Sequence, residues 1–255
     1  MRRVIIKIGT KVLSREDGTL DERFLEHFVE QIVALRKRGM QIVLVTSGAV
    51  GAGKSLITLN DAKSETVRKQ VFAAVGQVKL MTMYSEFFSK RGYFCAQVLA
   101  TKEDFRDQEH YQNMQNCFEG LLLDNVIPIV NENDVVATTE LLFTDNDELA
   151  GLVARQLKAD GLIILTSTDG ILDNAKSTVH EVDSSNVEQV AAYISPDTST
   201  GGRGGMMSKF KTAVELSKEG IVVRVVDGRK PNILIESLDG IQTGTQFTLR
   251  ANENE

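Results

Sequence analysis

Six short runs of mostly β-branched apolar residues recur along the chain: Val4 to Ile8, Gln41 to Thr46, Phe94 to Leu99, Val126 to Val130, Leu162 to Thr166 and Ile221 to Val226. A run that is apolar throughout, rather than alternating, is covered on both faces, and neighbouring parallel strands need a crossover helix between them. The intervening stretches supply such helices. Phe24, Leu25, Phe28, Ile32 and Leu35 lie on one helical stripe, opened by Asp21 as a cap and stopped by Gly39. A second long helix is expected from about Ser64 to Arg91, with Val67, Val71, Ala74, Val78 and Met81 on one side. The pattern predicts an α/β fold, a three-layer αβα sandwich with a mainly parallel central sheet. A length of 255 residues allows one large α/β domain or two smaller ones. With three prolines and no Pro/Ser-rich linker, the reading is a single domain of two lobes, about 1–160 and 161–255, with the weakest seam near Asp160.

Composition narrows the function classes. A chain with 42% hydrophobic and 25% charged residues buries an ordinary core, which excludes disorder and collagen-like repeats. Its net charge of -6 offers no general footprint for nucleic acid or an anionic membrane, so an anionic ligand has to be met by a local cluster of cations. No stretch approaches 18 consecutive apolar residues, and Met1-Arg2-Arg3 leads directly into Val4-Ile5-Ile6 without the apolar core of a secretory signal, so a cytoplasmic location is expected. Cys95 and Cys117 lie far apart in apolar-rich segments and read as buried structural thiols. His27, His110 and His180 stand alone, with no second His or Cys ligand at i+3 or i+4, so no protein metal site is expected. The charges between Lys102 and Asp107 read as a solvated helix face.

In open parallel sheets ligands bind beyond the carboxyl ends of the strands, and four of those ends are chemically rich. Lys7-Ile8-Gly9-Thr10 places a cation before a glycine whose backbone N–H can approach an oxyanion. Thr46-Ser47-Gly48 opens a glycine-rich turn into a helix, with Gly48 a second backbone donor. Asn131-Glu132-Asn133-Asp134 follows the fourth run, and Asp145-Asn146-Asp147 starts a later helical pattern. The fifth run ends in Thr166-Ser167-Thr168-Asp169-Gly170. The glycine cluster of Thr200-Gly-Gly-Arg-Gly-Gly reads either as a floppy loop or as cover for a ligand.

Gly48-Ala49-Val50-Gly51-Ala52-Gly53-Lys54-Ser55 also fits the phosphate-binding P-loop at every position, after a strand and before a helix. That reading needs an acid at another strand end for magnesium; Asp227 follows Val225-Val226, but Arg224 interrupts that run. It would also leave Lys7 unused.

Taken together, Val4 to Thr10, Val45 to Val50, Ala73-Ala74-Val75-Gly76-Gln77, Val130 to Thr138 and Gly204-Gly205-Met206-Met207-Ser208-Lys209 resemble the glutamate 5-kinase branch of the amino acid kinase family over essentially the whole chain. The lysine-glycine start and the glycine-methionine-lysine segment are shared with acetylglutamate, uridylate and aspartate kinases; the N-E-N-D-x-V-A-T block is specific to the branch. The resemblance implies ATP-dependent phosphorylation of the glutamate side-chain carboxylate, the first step toward proline. It implies Lys7 and Lys209 around the transferring group, with Asp147 orienting both, and Ser47, Asp134 and Asn146 binding glutamate. It implies Thr166 and Ser167, with Arg203, Gly204, Gly205, Met206, Met207, Ser208 and Lys209, around ATP, and Mg²⁺ held mainly through the nucleotide phosphates. It also implies a homo-oligomer, dimer or tetramer, and proline as a candidate feedback inhibitor. Ser167 stands where the family usually has aspartate, Arg203 replaces a common threonine, and the PUA domain that many members append is not expected here. The competing readings are another member of the family acting on N-acetylglutamate or UMP, a P-loop NTPase using Lys54, and a non-catalytic nucleotide or amino acid sensor.

Overall fold

The structure, a computed structural model, describes residues 1–60, 64–136, 143, 145–195 and 205–249. In chain order its elements are Arg3–Ile8 (β1), Thr10–Leu13 (α1), Glu22–Lys37 (α2), Gln41–Val45 (β2), Ala49–Lys54 (α3), Glu65–Ser89 (α4), Cys95–Ala100 (β3), Gln108–Leu123 (α5), Ile127–Glu132 (β4), Asn146–Gln156 (α6), Gly161–Thr166 (β5), Ile171–Leu172 (β6), Thr178–Val179 (β7), Glu181–Val182 (β8), Val187–Tyr193 (α7), Met206–Lys218 (α8), Val222–Asp227 (β9), Ile233–Leu238 (α9) and Thr245–Phe247 (β10). Eight strands form one sheet in the order β3-β4-β2-β1-β5-β9-β10-β8, parallel except where β10 runs against β9. The chain winds from β1 out to β3, returns through β4, then crosses to the other side of β1 to begin β5. Central strand β1 therefore has a crossover on each side of its carboxyl end, where such sheets place their ligands.

The side-chain alternation of the strands divides the interior into two layers. Val4, Ile6 and Ile8 of β1 enter one core with Phe28 and Ile32 of α2, Tyr84 and Phe88 of α4, and Ile233 of α9. Ile5 enters the other with Phe118 of α5, Leu149 and Val153 of α6, and Phe210 of α8. This is the three-layer sandwich that the uniformly apolar runs predict. The Asp21 cap falls where expected, its carboxylate accepting from the N–H groups of Arg23 and Phe24, and Ser64, near the expected start of the second long helix, caps it by accepting from the Val67 N–H.

Helix α4 buries a different face from the one its valine spacing marks. Phe72, Ala73, Gly76, Leu80, Tyr84 and Phe88 point inward, whereas Val67 and Val78 are 40% and 69% exposed. Two glycines determine that choice. A methyl group at Gly76 would lie 1.8 Å from the Ala49 carbonyl oxygen, and one at Gly53 would lie 1.9 Å from that of Phe72, so α3 and α4 touch backbone to backbone.

Two further expectations are corrected. Cys117 is exposed on α5 and Cys95 only half-buried, because the apolar stripe of α5 runs through Phe118 and Leu122 instead; burial nevertheless pushes the Cys95 thiol up to about 11. The charges from Lys102 to Asp107 lie on and beside a single 3-10 turn, Glu103–Phe105, and are tied down rather than merely solvated. Asp104 accepts from the Thr101 N–H and hydroxyl at 2.7 and 2.9 Å, Asp107 caps α5 at the His110 N–H, and Lys102 pairs with Glu148 at 2.9 Å.

Gly76→Ala is expected to destabilise the fold by about 2–3 kcal/mol in urea unfolding, the range for forcing atoms into a closed contact. An unchanged midpoint would show that α3 and α4 do not pack this closely.

Candidate active site

Lys7 occupies the carboxyl end of β1, in register with Val45 of β2 and Ile164 of β5. The pleat turns it to the face that also receives Ile5, beneath the first turn of α6. There its Nζ lies 2.7 Å from one oxygen of Asp147, while Lys209, from the first turn of α8, donates to the other at 2.9 Å. All three are buried: Asp147 is 0% exposed, Lys7 4% and Lys209 8%. Burial alone would raise the Asp147 carboxyl, but the charges of Lys7 and then Lys209 outweigh it and hold the group below its ordinary value of 3.8. Asp145 caps α6, accepting from the N–H groups of Asp147 and Glu148 at 2.8 and 3.0 Å. Burial first, and the Asp147 charge second, raise the Asp145 carboxyl above its ordinary value. One anion thus sits between two cations at the strand ends, with the Asp145 carboxyl beside them in the same turn.

A second group lies beside it. The Asn146 side-chain amide donates to the Thr46 carbonyl at 2.7 Å, to the Ser47 hydroxyl at 2.8 Å and to the Asn131 amide oxygen at 3.2 Å. The ends of β2 and β4 are therefore tied to the start of α6, and Ser47 and Asn146, predicted as substrate ligands, are in contact. Asp134 lies in the turn after β4 with its carboxylate 3.4 Å from Lys69 of α4. Asn131 donates to the Gln77 side-chain oxygen at 2.9 Å, and buried Glu132 accepts from the Phe143 N–H at 2.9 Å. No sequence signal gives Asn131, Glu132 or Gln77 a separate role, although the first two stand in the N-E-N-D block and Gln77 closes the A-A-V-G-Q segment.

The third group gathers at the ends of β5 and β9. Thr166 pairs with Asp227, and its carbonyl accepts from Gly228 at 2.9 Å. Arg229 donates to the Ser167 carbonyl and to Asp227, and Lys230 pairs with Asp169 at 2.8 Å. Arg229 is a neighbour that the motifs did not reveal, because it follows its strand through a glycine turn. Gly205 caps α8, and Met206, Met207 and Ser208 form its half-buried first turn. Arg203 and Gly204 lie outside the described residues.

Gly9 departs from its expected part. Its N–H is donated to the Leu165 carbonyl at 3.3 Å, so it continues the ladder instead of facing an oxyanion. Gly48 adopts φ +98°, a left-handed conformation that admits glycine readily and starts α3.

That early start removes the P-loop. Residues 49–54 are already helical, so the segment offers no open loop of N–H groups. Lys54, in the last turn of α3, rests over the Phe72 ring, 6.0 Å from its centre. Of the two glycines that match the pattern, Gly53 serves the α3–α4 contact and Gly48 the left-handed turn that starts α3.

A family model described as the amino acid kinase family matches residues 2–227. The chain belongs to the amino acid kinase family. Among the relatives of this amino acid kinase, the glutamate 5-kinase of Chlorobaculum tepidum is 44% identical over 249 residues, covering 96% of this chain and 69% of the relative. That of Clostridium acetobutylicum is 36% identical over 256 residues, covering 97% and 94%. The chain thus spans about two thirds of the first relative and nearly all of the second. The carbamate kinase of Giardia lamblia, solved with AMP-PNP, shares the fold of this amino acid kinase at a TM-score of 0.70 and 16% identity, over 97% and 98% of the two chains.

Asp147→Asn leaves two buried lysines around a neutral group, and a cost of about 3–5 kcal/mol in urea unfolding at pH 7 is expected. A carboxyl depressed in the native state contributes stability above its unfolded value and loses it as pH falls through the native one. The gap between wild type and Asp147→Asn should therefore be full at neutral pH and close below pH 3.8. A pH-independent gap would contradict the charge clamp.

Proposed function

We propose that this chain transfers the γ-phosphoryl group of ATP to the side-chain carboxylate of L-glutamate, forming L-glutamyl 5-phosphate and ADP, the first step toward proline. The observation that carries the reading is the buried clamp of Lys7, Asp147 and Lys209 at the strand ends. A carboxylate attacks as an anion and needs no general base; the obstacle is repulsion from a polyanionic phosphate. Positioning and charge neutralisation must therefore supply the catalysis. An ammonium group about 4 Å from a phosphoryl oxygen contributes on the order of 4 kcal/mol at an effective dielectric near 20. Asp147 offsets only one of the two ammonium charges of Lys7 and Lys209, and the other faces the developing negative charge as the glutamate oxygen bonds to phosphorus and the bond to the ADP oxygen breaks.

Ser47 and Asn146 hold the amino acid beside Lys7, and Asp134 receives its ammonium group, which favours an amino acid over a simple diacid. Thr166, Ser167 and the segment from Arg203 to Lys209 receive the nucleotide, and Arg229 braces the Ser167 turn. Mg²⁺ brought in with the nucleotide would supply further neutralisation of the phosphates. Among the described residues no group of three His, Cys, Asp or Glu side chains is placed to hold a metal ion.

With Mg-ATP and glutamate, acyl phosphate trapped as hydroxamate and matched by ADP release is the expected result. Lys7→Ala and Lys209→Ala should lower kcat about 10²–10³-fold, and Lys54→Ala should change it less than about threefold, since its ammonium only packs on Phe72. Phosphorylation of N-acetylglutamate or UMP instead would overturn the substrate assignment. Loss of activity in Lys54→Ala alone would restore the P-loop, and ligand-induced thermal stabilisation without turnover would indicate a sensor.

The outward face of α4 supports assembly with a second copy. Val78 is 69% exposed beside Ala74, Val75 and Thr82 in an apolar groove that Lys79 and Glu86 also line. Light scattering should give an oligomer for the wild type and a smaller species for Val78→Asp; equal masses would remove this face from the assembly.

A further inference from the structure

Helix α4 approaches the amino acid site through one edge. Lys69, Ala73 and Gln77 recur at four-residue spacing and so share a face. That edge meets the end of β4 at three points: Lys69 at Asp134, Gln77 at Asn131, and Gln70, whose side-chain amide donates to the Val135 carbonyl at 3.0 Å. Gln77 is 9% exposed; its oxygen is taken by Asn131, and its Nε2 has no hydrogen-bond partner among the described residues. A buried N–H without an acceptor is rare in a native interior and marks a place where an acceptor arrives. The Lys69–Asp134 pair is unequal: the Asp134 side chain is 14% exposed and that of Lys69 38%. The carboxylate is fixed, and the ammonium approaches from solvent on a flexible stem.

We propose that Lys69 and Gln77 form the subsite for the α-carboxylate of the amino acid substrate, with Asp134 taking the ammonium on the same carbon. The inference rests on the amino acid kinase reading given above and names the part of the substrate that reading leaves unheld. A zwitterionic α-carbon presents one positive and one negative group side by side, and the Asp134–Lys69 pair presents the complementary order. Eight residues of helix separate Lys69 from Gln77 by about 12 Å, a span that the two extended side chains close from opposite sides of a carboxylate. In the free protein Lys69 neutralises Asp134; when the amino acid enters, its ammonium replaces Lys69, which turns to the carboxylate. Gln77 is held for this contact by Asn131, and Asn131 by Asn146, so one hydrogen-bonded chain joins the α-carbon pole to Ser47 beside the transferring group.

Steady-state kinetics with glutamate, 4-aminobutyrate (no α-carboxylate) and glutarate (no ammonium) test the assignment on wild type, Lys69→Met, Lys69→Arg and Gln77→Leu. Lys69→Met should raise KM for glutamate about 10- to 100-fold with KM for ATP within twofold. The preference for glutamate over 4-aminobutyrate should fall by a similar factor, whereas that over glutarate is retained. Lys69→Arg should recover most of the loss, and Gln77→Leu should show the same pattern more weakly. An unchanged KM, a retained preference over 4-aminobutyrate, or an equal fall in kcat for all three compounds would overturn the proposal. Should the wild type turn over no glutamate, the reaction assignment fails instead; calorimetric binding of glutamate and 4-aminobutyrate to wild type and Lys69→Met then decides the subsite, with loss of glutamate binding supporting it and equal binding overturning it.

Discussion

Two buried ammonium groups within hydrogen-bonding distance of one buried carboxylate impose the strongest condition on this molecule. Lys7 and Lys209 come from distant parts of the chain, and each would be expensive to bury alone. Asp147 makes their burial tolerable, and its position at the N-terminal turn of α6 adds the favourable end of the helix dipole. Asp145 fixes that turn by capping it, and the raised Asp145 carboxyl reflects two acids placed within one buried turn. The sheet order serves the same condition. Only because β5 lies on the far side of β1 from β2 do the earlier and later halves of the chain meet over Lys7.

The contact between α3 and α4 shows how one motif can be satisfied by two kinds of structure. A P-loop and this helix pair both demand glycines at close spacing after a strand, one so that N–H groups can reach phosphate, the other so that two backbones can touch. The point at which the helix begins separates them. Gly48 turns the chain in the left-handed region, and the next six residues are helical, which carries Lys54 to the far end of α3 and onto Phe72.

Much of the fold is legible in the sequence because burial on both faces leaves a pattern that no other architecture requires. The strand runs, the Asp21 and Ser64 caps and the Gly39 stop follow from local chemistry. The inner face of α4 does not, since both its faces are apolar and only the contact with α3 selects one. The exposure of Cys117 and the ladder bond of Gly9 likewise depend on a neighbour distant in sequence. Within the site, Lys7, Asp147 and Lys209 were read from strand ends and from resemblance together, and the structure brings them into contact. Lys69, Gln77 and Arg229 escaped because a lysine, a glutamine or an arginine on a helix or turn carries no spacing signal; their place is set by what packs against them.

The central claim is that Asp147 holds two lysines where the phosphoryl group passes. A crystal structure with ADP, aluminium fluoride and glutamate tests it most directly. The account predicts the fluoride plane between the glutamate side-chain carboxylate and ADP, with the Lys7 and Lys209 ammonium groups both at hydrogen-bond distance from it and both still bound to Asp147. A fluoride plane contacted by Lys54, or by neither Lys7 nor Lys209, would contradict it.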